Sequence, residues 1–78
     1  MNAEEEKQIK ILLGKDATFA HQKAALTWLG NYLEEGDILN LPASKRTLDS
    51  LDRFSRSATA DRVLKSKAKK LTNQFRRY

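Results

Sequence analysis

The 78-residue chain has no cysteine, one histidine, one proline and three glycines. Without cysteine there is no disulfide framework, no thiolate ligand and no cysteine nucleophile, so neither a disulfide scaffold nor a zinc finger holds the fold. His21 stands alone, with no HExxH spacing around it, which gives no basis for a metal site or histidine catalysis. Gly14, Gly30 and Gly36 are isolated from one another. They form no glycine-rich phosphate loop, and no serine sits in a nucleophile elbow.

No apolar run approaches the roughly 18 residues that span a bilayer, and Met1 to Lys10 is acidic rather than a cationic lead into an apolar segment. The expectation is a soluble, cytoplasmic chain with no membrane contact, no cofactor and no enzymatic activity. Asp49 and Asp52 are the only carboxylates that resemble a catalytic pair. Each has an arginine one turn on, Arg53 and Arg56, in the acid-first i, i+4 order that favours a surface ion pair over a raised pKa. One small domain, 1–78, is expected, with a core contributing only about 3 to 5 kcal/mol.

What the chain does have is charge, unevenly placed. Residues 1 to 43 hold four lysines against seven acids, a balance of −3, whereas residues 44 to 78 hold eleven Lys and Arg against three Asp, a balance of +8. A one-sided basic field concentrates anionic partners. The competing reading is that the acidic half neutralises the basic half within the fold.

The apolar spacing predicts an all-α, compact bundle of about four short helices, approximately 3–13, 18–35, 45–56 and 59–77. Asn2 with Glu5 suggests a capping box for the first, whose inner face uses Ile9, Leu12 and Leu13 and leaves Ile11 in need of a second contact. The second opens at Asp16 or Thr18 and ends at Gly36, with Phe19, Leu26, Leu29 and Leu33 buried and Gln22 near the rim. Gly30, costly in mid-helix, suggests close approach of another backbone. Ile38, Leu39 and Leu41 suggest that the loop after Gly36 packs inward. An alternative pairs Ile9 to Leu13 with Ile38 to Leu41 as two strands, but two short strands alone are marginal in water. Ser44 or Thr47 opens the third helix, with Leu48, Leu51 and Phe54 inward. In the fourth, beginning at about Ala58 or Ala60, Leu64, Ala68, Leu71, Phe75 and Tyr78 form one apolar seam.

Two faces are candidate sites. Arg62, Lys65, Lys69 and Arg76 lie opposite the seam of a helix of roughly 30 Å, long enough to reach several phosphates along a groove. With Lys70, Arg77, and Arg53 and Arg56 from the preceding helix, they predict contact with nucleic-acid phosphates. About eight residues separate the second and third helices, longer than a helix-turn-helix turn, and the shorter join between the third and fourth offers no glycine, so no recognition helix is assigned and phosphate contacts come first. The favoured function is therefore a small nucleic-acid-associated regulator or accessory protein.

The second face is the line His21, Ala25, Trp28 and Tyr32, which with Ile11 is a candidate protein interface. Trp and Tyr are common interface anchors, although a domain this small also needs aromatics for its core. The alternative function is a protein-binding module or small protein inhibitor of a macromolecular complex. The same surplus of apolar surface suggests a homodimer.

Overall fold

The computed structural model describes residues 3–76, and over these the chain is an all-α bundle of four helices: α1 Ala3–Leu13, α2 Phe19–Ile38, α3 Lys45–Ser55 and α4 Arg62–Phe75. Asn2, Tyr78 and Arg77, the proposed capping residue, the end of the seam and one candidate phosphate contact, lie outside the described residues. No strand occurs among the described residues, and Ile9 to Leu13 belongs to α1, so the paired-strand alternative is set aside.

Capping side chains fix where three helices begin. Thr18 and Ser44 accept from the backbone N–H groups of His21 and Thr47, three residues on. Asp61 caps α4, accepting from Val63 at 2.9 Å and Leu64 at 3.2 Å. This start is later than the expected Ala58 or Ala60. Residues 57 to 60 instead turn, with a Ser57–Thr59 hydroxyl contact of 3.3 Å.

The end of α2 departs most from expectation. Gly36 lies inside the helix, and the left-handed residue is Asn40, with φ 58°. Asn40 N–H donates to Asp37 O at 3.0 Å and Leu41 N–H to Gly36 O at 2.8 Å, the paired bonds of a Schellman stop. Asparagine tolerates this backbone region well enough to displace the stop from Gly36 to Asn40. The added turn carries Ile38 outward and leaves Ile38, Leu39 and Leu41 74, 62 and 58 % exposed, so this stretch does not pack inward as its composition suggests.

α1 packs on α2, and α3 on α4, as two hairpins; α1 against α3 and α2 against α4 then close a ring of four helices. Ile9 and Leu12 of α1, Ala25, Leu26, Leu29 and Leu33 of α2, Leu48, Leu51 and Phe54 of α3, and Leu64, Ala68 and Phe75 of α4 form one shared core. Phe19, expected inside, is instead half exposed, while Ala25 from the neighbouring line is fully buried. The α2 core stripe is thus rotated toward the Trp28 side. Leu71 is half-buried, packed against the core beside Gly30. A β-carbon at Gly30 would lie 3.2 Å from Leu71 Cδ1, so this glycine admits a side chain from α4 rather than another backbone.

A polar node joins three of the helices. Glu5 is buried on α1 beside the core; the Thr47 hydroxyl of α3 donates to its carboxylate, as does the Tyr32 phenol of α2. Among the described residues no buried side-chain nitrogen or oxygen lacks a partner, as the cost of a buried orphan requires.

Candidate nucleic-acid interface

α4 is 14 residues long, about 21 Å at about 1.5 Å per residue, and so shorter than the roughly 30 Å expected. Its core side is set by Leu64, Ala68, Thr72 and Phe75. At about 100° per residue the remaining arc runs from Lys65 through Lys69 and Arg62 to Lys70 and Lys67. Lys65 borders Thr72 and is half-buried, while Arg62, Lys67, Lys69 and Lys70 are exposed. Lys67, absent from the predicted set, falls about 140° round from Arg62, beyond Lys70 at about 80°. The whole non-core arc was the signal that would have found it.

After Asp61 the helix contains no acid. Among the described residues, none of Arg62, Lys65, Lys67, Lys69 and Lys70 forms an ion pair; the pairs present are Arg46–Glu6, Arg56–Asp52 and Arg76–Asp49. Neutralisation by the acidic half therefore reaches α3 through Glu6 but does not reach α4.

The other candidate cations separate from this group. Arg76 is not on the helix: it is the C-cap residue, with ψ 88°, and its guanidinium lies 3.3 Å from Asp49. That contact replaces the expected Asp49–Arg53 pair, and Arg76 is not a clean member of the α4 face. Arg56 takes Asp52 at 2.8 Å, as its spacing predicts. Arg53 is exposed and lines an open depression with Arg56, Lys15 and the Ser57 and Thr59 hydroxyl residues, at the end of α3. Asp49 and Asp52 are thus both engaged by arginines. Among the described residues no three His, Asp or Glu side chains cluster to hold a metal ion.

The joins after α1, α2 and α3 run 14–18, 39–44 and 56–61, each longer than the three or four residues of a helix-turn-helix turn. None of these joins therefore defines a recognition helix.

The aromatic line divides. His21 is exposed, whereas Trp28 and Tyr32 are half-buried and stack with ring centroids 5.2 Å apart and planes 15° from parallel. Ile11 is half-buried against the core, so the second contact it requires comes from within the fold. Trp28, Tyr32, Leu33, Leu39, Leu41 and Pro42 line a cleft of about 300 Å³ at the end of α2. Burial pushes the Tyr32 phenol above its ordinary range, reinforced by the charge of Glu5 and by the hydrogen bond to it. No helix among the described residues is long and apolar enough to cross a membrane. Set against family models, curated proteins and solved structures, the chain matches none of them.

Proposed function

We propose that this is a small nucleic-acid-associated protein, a regulator or accessory factor that contacts phosphates through α4 with little sequence preference. The observation that supports it is the set Arg62, Lys65, Lys67, Lys69 and Lys70 on one short helix, without an ion-pair partner among the described residues. Exposed cations of one sign on a rigid element release condensed counterions when they meet a phosphate backbone. Nothing in this reading requires catalysis or a cofactor.

The test is a titration of labelled duplex DNA and single-stranded RNA at increasing salt. Each α4 cation in contact should contribute about 0.9 to the slope of log K against log salt on duplex DNA. Lys69→Ala with Lys70→Ala should lower that slope by nearly two and leave the thermal midpoint almost unchanged, because exposed charges contribute little to stability. Absence of binding to either nucleic acid at about 50 mM salt, where phosphate contacts are strongest, would end this reading. Protein binding would then be the function to pursue.

A further inference from the structure

The end of α2 carries a surface that phosphate binding leaves unused. Ile38, Leu39 and Leu41 are more than half exposed and adjoin one another in sequence, and Leu39 and Leu41 also line the Trp28–Tyr32 cleft. Isolated exposed apolar residues are ordinary, but a cluster beside a preformed aromatic cleft marks an interaction surface. The cleft wall is already ordered: Trp28 and Tyr32 stack, and the Tyr32 phenol is tied to buried Glu5. An occupant therefore meets little ordering cost there.

The surroundings select the occupant. Glu35 lines the cleft, and Glu34 lies one turn before Ile38 on the same outward side of α2; both are exposed and neither forms an ion pair among the described residues. Asp37 adds a third acid between them and Leu39. The nearest base in sequence, Lys45, lines a different depression, with Ile9, Arg46 and Asp49. Such a rim repels phosphates and attracts cations.

A second copy fits poorly. A twofold contact through this patch would bring two copies of the same acidic rim, Glu34, Glu35 and Asp37, into one interface with no base on it to offset them, an unfavourable gathering of like charge. A head-to-tail contact would offer the cleft the basic α4, but Leu64, Ala68 and Phe75 are committed to its own core and only Val63, 71 % exposed, remains as an anchor. We propose that the Trp28–Tyr32 cleft and the Ile38, Leu39 and Leu41 patch dock a basic amphipathic helix of another protein. Its apolar side enters the cleft and its Lys and Arg lie along Glu34 and Glu35.

Trp28 is the only tryptophan, so its emission reports occupancy of the cleft directly. The probe is a labelled peptide of about five helical turns with leucines at helical spacing and lysines elsewhere; its counterpart has glutamate for every lysine. The lysine peptide should bind and shift Trp28 emission to the blue. Leu39→Ser with Leu41→Ser should weaken binding by about tenfold or more, with an unchanged thermal midpoint and unchanged DNA affinity. Glu34→Lys with Glu35→Lys should reverse the preference between the two peptides. The proposal is overturned by equal binding of both peptides, by no binding of either, or by a serine variant that binds like the wild type. Sedimentation of the wild type as a dimer that the serine pair dissociates would assign the patch to a second copy instead.

Discussion

The Thr47 hydroxyl of α3 donates to the buried carboxylate of Glu5 on α1, a contact across 42 positions of sequence that joins the two hairpins inside the bundle. Because the carboxylate is out of water, the loss of a donor is felt in full rather than replaced by solvent. Thr47→Val keeps the shape and removes the donor, and should cost about 1 to 3 kcal/mol. Thr47→Ser keeps the donor and should lose only about 0.8 kcal/mol, that of one buried methyl group. Urea midpoints of the two variants measure the difference. Equal stability of the valine variant and the wild type would mean that Glu5 is served by solvent.

Tyr32 makes the same node sensitive to alkali. Burial raises its phenol above the ordinary value, with Glu5 adding to the rise through its charge and as hydrogen-bond acceptor. The folded chain thus holds this proton at pH values where the unfolded chain has released it. The contribution is fully present below about pH 10, the unfolded tyrosine value, and is lost as pH rises from there through the folded value. Wild type should therefore lose stability faster than Tyr32→Phe above about pH 10, although the phenylalanine variant starts lower at neutral pH for want of one donor to Glu5. Thermal midpoints of the two proteins across that range are the measurement, and the difference between them cancels the other groups that titrate there. Parallel curves would remove the node from the alkaline behaviour.

The two glycines of α2 should respond oppositely in degree. A β-carbon at Gly36 would meet nothing within 4 Å, and the residue is helical, so Gly36→Ala should stabilise by about 0.5 to 1 kcal/mol. At Gly30 the same change gains the same helix preference but crowds Leu71 Cδ1 at 3.2 Å, so its gain should be smaller. Calorimetric midpoints compare them. A loss at Gly36 would return the helix stop to that residue.

Much of the bundle was legible because single stripes specify it: the bounds of α1 and the inward Leu48, Leu51, Phe54, Leu64, Ala68 and Phe75 read from the sequence, whereas the caps were each left between two residues, Asp16 or Thr18 and Ser44 or Thr47, of which Thr18 and Ser44 hold the positions. The end of α2 was not. Gly36 carries the stronger local signal for a stop, and only the backbone bonds around Asn40 show which residue took the left-handed conformation. From that one displacement follow the outward turn of Ile38 and the exposure of the apolar residues beside it. The spacing from Asn2 reads Glu5 as a capping-box partner, yet Glu5, Ile9 and Leu12 step by four and three along one face, a pattern that marks it for burial. On the candidate site, Arg62, Lys65, Lys69 and Lys70 of α4 were legible and Lys67 was not, whereas the diversion of Arg76 to Asp49 depends on a helix end and a neighbour that periodicity does not describe.

The division of the ring into two hairpins coincides with the division of charge: α1 and α2 belong to the half of the chain with balance −3, and α3 and α4 to the half with balance +8. Such a molecule has a direction as well as a net charge. Near a polyanion it experiences a torque that turns the α3–α4 side forward and the α1–α2 side away before any contact forms. The five α4 cations and the lining of the α2 cleft share no residue, so the two proposed surfaces are separate sets of side chains. Added salt, by screening the torque, should weaken that ordering even before it weakens any contact.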